Sequence, residues 1–438
     1  MFEHASRLYA RQLFPTRNGY PLYIPEPPSN RPLELIERGT SIGDVGIVKL
    51  DGSFQYAFNI FTPQTDAAIN YFGVPVGFHN LTLHGRDTTS VPYKFSKKSE
   101  VKTEGKYRKT VDVPLNAHAS DGSTASPAGF KLGYQVGESP SESALLTLPD
   151  GAIGEDYNHL EDIRTYSIEN APSWYTFISE TLGRQAPSGS LYVVTGCDKS
   201  AAWGIVTNAE NSEPKESTLE FTAKFVAASA SYACSWGTMG FAGSIPPCRS
   251  ADPKPGVKQP HNQCHFIRGF KILLRESVST ELNQDQFVAV ESITDHSKID
   301  SLLRQNENSF PGSDSWWSRL VSSSQSGGGT PHQEGADDWI DDVELDPPTG
   351  PYHALDTINK YLLETNPQAE VAISHESDWW DLSPGATLAN EDDIIRRLAS
   401  RTPTIESGGV FLVARAATQS DTRPNEGSAM VGDHEAAR

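Results

Sequence analysis

Nowhere in its 438 residues does the chain hold eighteen consecutive apolar residues, so no segment is long and apolar enough to cross a bilayer as a helix. The opening MFEHASRLYARQLF has neither a continuous apolar core nor a small-residue cleavage site, which reads against a secretory leader. Cysteine is scarce. The four that exist lie between Cys197 and Cys264 without a framework spacing, as free thiols of a reducing compartment do, and the expected location is cytoplasmic. Positive charge is also short. Against 56 Asp and Glu there are 36 Lys and Arg, a net charge of −20, which speaks against nucleic acid as a partner. No internal repeat is present.

Glycine and proline are plentiful, at 35 and 30, and they punctuate short alternating segments. Residues 2–14 read as an amphipathic helix with Phe2, Ala5, Tyr9 and Leu13 on one face. IGDVGIVKL, the turn pair Asp51-Gly52, and the alternating Phe54, Tyr56, Phe58 and Ile60 predict a hairpin. Residues 156–183 read as two helical pieces broken at Pro172 and stopped at Gly183. Strands resume with GSLYVVTGCDKSAAWGIVT and end with CHFIRGFKILL.

The expected fold class is α+β. A β-rich antiparallel N-terminal domain with flanking helices spans 1–280, and a helical connector spans 281–310. An acidic Ser/Gly-rich linker covers 311–350, a small α/β domain 351–416, and a disordered tail 417–438. Charge follows the same division: residues 1–280 are nearly balanced, at 26 basic against 28 acidic, whereas 281–438 hold 10 against 28.

Several motifs fail on their own chemistry. TGCDKS ends a strand in Lys-Ser, but a phosphate loop needs glycine where Val193 and Asp198 stand. GTSIG at 39–43 resembles a nucleophile elbow around Ser41, yet a helical pattern enters it and a strand leaves, the reverse of the required order. Cys248, His261, Cys264 and His265 are zinc-type ligands without the close cysteine pair of a structural site. No metal and no cofactor is expected. Cys197 with His265 as its base is the one hydrolase arrangement the residues offer, a minor alternative to a non-enzymatic protein.

Two features point to membranes. The segment 86–109 carries eight Lys and Arg against three acids, so Lys94, Lys97, Lys98, Lys102, Lys106, Arg108 and Lys109 are candidate contacts for an anionic membrane surface. GFKLGYQV alternates through Phe130, Leu132 and Tyr134, and STLEFTAKFV through Leu219, Phe221 and Phe225. These strands are long enough for a membrane hairpin. The acidic stretch 337–346 offers a surface for a protein partner. A soluble recognition module with an unidentified protein ligand is the alternative to a membrane role.

The strings GYPLYIPEP, IGDVGIVKLDGSFQYAFNIF, SWYTFISETLG, GSLYVVTGCDKSAAWGI and NQCHFIRGFKI resemble a family of uncharacterised proteins of mushroom-forming fungi, over roughly residues 5–276. INKYLLETNPQAEVAISHESDWW resembles a C-terminal module of the same group. A more distant resemblance is to gasdermin pore-forming domains. It rests on MFEHASRLYARQL, SLYVVTG, FIRGFKILL and the order of two alternating hairpin segments around a helical one. That resemblance implies an N-terminal domain that binds acidic lipid and inserts two hairpins, held inactive by the C-terminal region. The hairpin IGDVGIVKLDGSFQYAFNIF departs from the gasdermin pattern, as does the small C-terminal region.

Overall fold

The structure is a computed structural model that describes residues 5–103, 142–207, 260–275, 278, 351–383 and 391–413, with the backbone alone of 107–115, 129–136, 208, 218–226 and 231–239. The expectations for residues 281–350 and 417–438 lie outside the described residues.

Among the described residues seventeen strands build three sheets: β1 (Tyr20–Pro21), β2 (Asp44–Val48), β3 (Phe54–Asn59), β4 (Thr88–Phe95), β5 (Ser99–Lys102), β6 (Tyr107–Leu115), β7 (Gly129–Val136), β8 (Ser143–Leu148), β9 (Ala152–Tyr157), β10 (Leu191–Ser200), β11 (Gly204–Asn208), β12 (Thr218–Val226), β13 (Ser231–Met239), β14 (Gln263–Leu274), β15 (Val371–His375), β16 (Thr404–Glu406) and β17 (Gly409–Phe411). Six α-helices accompany them among the described residues: α1 (Ala5–Leu13), α2 (Leu33–Arg38), α3 (Leu160–Thr176), α4 (Leu355–Thr365), α5 (Glu376–Leu382) and α6 (Glu391–Leu398). The fold is α+β and rich in strand, as the sequence predicts.

The long strands β10 and β14 pair antiparallel at the centre of a ten-stranded sheet, Leu191 opposite Ile272 and Cys197 opposite Ile267. Each has two short partners along its outer edge. For β10 these are β2 and then β9; for β14 they are β15 and then β1. Alternation along the central pair sends side chains to two separate cores. Leu191, Val193, Phe270 and Ile272 join Ile373 under Trp174 and Tyr175 of α3. Tyr192, Val194 and Ile267 join Ala372 under Leu355, Ile358 and Leu362 of α4, Trp379 of α5, and Ile394 and Leu398 of α6. Leu191, Val193 and Ile205 are all fully buried, as expected, but not on adjacent strands: β11 pairs with β8 in another sheet, and Ile205 belongs to a separate core.

Two expectations change. The division at residue 280 into a β-rich domain and a separate small α/β domain at 351–416 is corrected by the pairing of β14 with β15, Phe270 opposite His375 through Leu274 opposite Val371. The described residues on both sides of 283–347 form one compact unit, in which one face of the central strands shares a core with α4–α6. The break at Pro172 is also absent. α3 runs through it, continues as a π turn over Phe177–Thr181 and stops at Gly183, whose φ is +60°. A helix-interior proline costs about 3 kcal/mol. Burial of Ile163, Ile168, Ala171, Trp174 and Tyr175 against the sheet offsets it, and the Tyr175 hydroxyl donates to the Ile272 carbonyl at 2.7 Å.

The three-stranded sheet orders β11-β8-β5 and is roofed by Tyr9 and Leu13 of α1, over Ala144, Leu146, Leu148, Trp203 and Ile205. The four-stranded sheet orders β13-β12-β7-β6. The three passes that build the first sheet continue along the chain into the second in the same lateral order: β5 leads to β6, β7 leads to β8, and β11 leads to β12.

Candidate functional site

The four-stranded sheet brings together the hairpin residues singled out from sequence. β7 and β12 pair antiparallel, with Phe130 opposite Ala223, Leu132 opposite Phe221 and Tyr134 opposite Leu219. On the far side of β12, Leu219, Phe221, Ala223 and Phe225 stand opposite Thr238, Trp236, Cys234 and Tyr232 of β13. Because the strand period is two, directly opposed residues share a face. One face of three adjacent strands therefore carries an almost unbroken set of apolar and aromatic positions. The other carries Lys131, Gly133 and Gln135, then Glu220, Thr222 and Lys224, then Ser235 and Gly237.

The edge strand β6 breaks the rule. A register shift between Lys109 and Val111 sets Asp112 opposite Leu132 and Lys109 opposite Tyr134, while Arg108 faces Gln135. Charge on an edge strand opposes further pairing, so this edge is the guarded one.

Of the remaining lysine candidates, Lys94, Lys97 and Lys102 pair with carboxylates. Lys94 Nζ lies 3.0 Å from Asp198 Oδ1, which also accepts from Arg268 Nη2 at 3.0 Å. Lys97 pairs with Asp150 at 2.9 Å and Lys102 with Glu100 at 2.7 Å, while Lys98 has a left-handed backbone with φ of +62°. Lys106 lies outside the described residues. Lys94 is thus built into an internal charge network in which Arg268 joins Asp198 and Asp156, and Lys199 reaches Glu155 at 3.2 Å. Only Lys97 of the described candidates keeps a largely exposed side chain, 74%.

Cys197 and His265 are not assembled as nucleophile and base. The thiol donates toward Glu155 Oε2 at 3.8 Å, and burial pushes its pKa up to about 12. His265 Nε2 shares a 2.6 Å hydrogen bond with Ser200 Oγ, and burial pushes the imidazole down to about 3. A thiolate needs a cation or a helix N-terminus to lower its pKa, and at Cys197 desolvation outweighs Lys199. Of the zinc-type quartet, Cys264 donates to the Phe266 carbonyl at 3.5 Å, and Cys248 lies outside the described residues. Ser41 Oγ lies 3.4 Å from Lys199 Nζ, but Lys199 stays protonated beside Glu155 and offers no base.

Sequence reading missed one cluster altogether. Glu376, at the start of α5, accepts a short hydrogen bond from the Tyr192 hydroxyl and one from Gly269 N at 2.6 Å, with His353 Nε2 3.7 Å away. Burial pushes Glu376 up to about 7. Beside it lies a cleft of about 340 Å³ lined by Tyr192, Lys271, His353, Asp356 and Lys360. Only the acid in ISHESDWW, directly after an apolar strand, hints at it. No family model, curated protein or solved structure matches the chain.

Proposed function

We propose that this protein associates with membranes through the apolar face of the four-stranded sheet, and that hairpin insertion permeabilises the bilayer. The single observation that carries the reading is the register: Phe130, Leu132 and Tyr134 stand opposite Ala223, Phe221 and Leu219, with Tyr232, Cys234 and Trp236 beyond. β12 and β13 each have nine residues, the length at which a tilted strand crosses the hydrocarbon core. A spanning sheet must satisfy its edges, so insertion requires closure with further copies of the chain. The distant likeness to gasdermin pore-forming domains agrees with this reading. In it, the acidic residues of 281–350 restrain the sheet electrostatically, while 351–413 remain part of the central fold.

The test is leakage of a trapped dye from vesicles of phosphatidylcholine mixed with phosphatidylserine, using the full chain before and after cleavage at a protease site inserted within residues 321–330. Release that increases after the cut supports both insertion and restraint. Absence of release from either form, at protein excess, overturns the insertion reading.

A further inference from the structure

Arg31 and Arg184 come from distant parts of the chain and lie against the same ring. Each guanidinium carbon is 4.4 Å from the centroid of Phe72. Arg184 Nη1 also donates to the Tyr56 carbonyl at 2.7 Å. Two cations gathered on one aromatic ring repel each other, and burial adds to the cost. Both guanidinium pKa values are lowered, Arg31 by desolvation and Arg184 by desolvation and by Arg31. Some buried or half-buried arginines of the chain pair with carboxylates, as Arg38 with Asp44 and Arg268 with Asp156 and Asp198, and others donate to backbone carbonyls, as Arg275 does to Ala369, Leu363 and Asn366. Among the described residues no carboxylate forms an ion pair with Arg31 or Arg184. Planar guanidinium forks pair well with the oxygens of a phosphate.

The surroundings say which phosphate. Phe72 lies near the start of the loop Tyr71-Phe72-Gly73-Val74-Pro75-Val76-Gly77-Phe78. Val74 and Phe78 anchor it on the core, and Gly73 and Gly77 have φ of +84° and +76° with open space around them. Between the anchors Val76 is 98% exposed, and Tyr71 and Leu33, next along the chain to Phe72 and near Arg31, are about half exposed. An anchored loop with an apolar tip beside an unneutralised cationic pair combines what holds a protein at an acidic bilayer surface.

We infer that Arg31 and Arg184, held on Phe72, form a binding site for the phosphate of an anionic phospholipid headgroup, with Tyr71 and Val76 entering the interface beside it. The inference rests on the membrane reading above, but it assigns first contact to a different part of the molecule from the sheet. Each cationic contact contributes about a fivefold factor in binding to an acidic surface.

The experiment is co-sedimentation of the full chain with vesicles of phosphatidylcholine alone and of phosphatidylcholine mixed with phosphatidylserine. It compares the unmodified chain, the double variant R31Q/R184Q, R31K/R184K and V76D, each first checked for an unchanged thermal melt. The glutamine pair is expected to bind acidic vesicles about thirtyfold more weakly. The lysine pair should fall between, and V76D should lose binding although its charge change is small. Unchanged binding by the glutamine pair would overturn the inference, as would binding that inorganic phosphate at low concentration abolishes, which would assign the site to a soluble phosphate. The two proposals separate in the readout. Arginine-dependent binding without dye release contradicts the inserting sheet alone, and release that ignores the arginines contradicts this site alone.

Discussion

Tyr192 and Glu376 lie 184 residues apart in the chain and share a short hydrogen bond in the middle of the fold, phenol to carboxylate. Tyr192 belongs to the central strand β10, and Glu376 opens α5 just after β15. The bond ties the C-terminal segment to the strand that organises everything before it. Glu376 is fully buried. It is held by Tyr192 and by Gly269 N, beside an imidazole whose own pKa burial lowers.

The first prediction follows from the titration of that carboxyl. Its folded pKa, about 7, exceeds the unfolded value near 4.5, so the folded chain holds a proton that the unfolded chain releases. Its contribution is therefore full at pH below about 4.5 and is lost as pH rises through about 7. The buried imidazoles His265 and His375, pushed down to about 3, act in the opposite sense and cost stability as pH falls below about 6.5. Between about pH 4.5 and 7 the Glu376 carboxyl therefore opposes the rise in stability that the imidazoles give, and above about 7 it adds no further change. Glu376→Gln, whose oxygen accepts from Gly269 N while its amide meets the Tyr192 oxygen, should gain stability relative to the parent by on the order of 3 kcal/mol between about pH 4.5 and about pH 7.5. A stability difference between variant and parent that stays constant across that range would contradict this.

Removing residues 281–438 should not release a folded fragment. Without β15 the outer edge of β14 loses its partner at Phe270–Leu274, and Tyr192, Val194 and Ile267 lose the cover of Leu355, Ile358 and Trp379. The truncated chain is expected to be insoluble or to melt without cooperativity in circular dichroism. A sharp, reversible transition of residues 1–280 would show the cover to be dispensable.

Within the central strand, Val193→Asp should unfold the protein. The side chain is fully buried, with Val45 and Phe270 opposite it on the neighbouring strands and α3 in the same core, and a lone carboxylate there costs several kcal/mol. Expression as soluble protein with a native melt would refute the assignment of that face.

Cys197 and Cys264 should resist alkylation in the native state. Both thiols are fully buried, and burial raises both pKa values. Iodoacetamide at neutral pH followed by peptide mapping should leave both unmodified until denaturant is added. Rapid labelling of Cys197 in the folded protein would revive a reactive-thiol role.

These outcomes depend on features of unequal visibility in the sequence. The β2–β3 hairpin is legible because its signals are local: alternation on both sides of Asp51-Gly52, with Gly52 at φ of +80°. The apolar positions of β7 and β12 are legible for the same reason. Their mutual register is not, because it depends on pairing between strands separated by some eighty residues. The C-terminal segment misleads in the same way. Its helix and strand patterns look self-sufficient, yet its apolar faces close on β10 and β14. The lysines of 94–102 stand out as a basic run because Asp198 and Asp150, which neutralise Lys94 and Lys97, lie far along the chain. Arg31 and Arg184 carry no motif at all, and only the fold sets them on Phe72.

In the proposed function, the shared face of β7 and β12 enters the bilayer. The most direct measurement is dye release from vesicles of phosphatidylcholine and phosphatidylserine by the full chain carrying L132D together with F221D, an opposed pair on that face, beside a control carrying K131A together with T222A, the opposed pair on the other face. Two charges on a lipid-facing strand pair cost several kcal/mol near the bilayer centre, so the aspartate variant should fall to background release while the control keeps the parent's rate. Equal release by the aspartate variant and the parent would contradict the account.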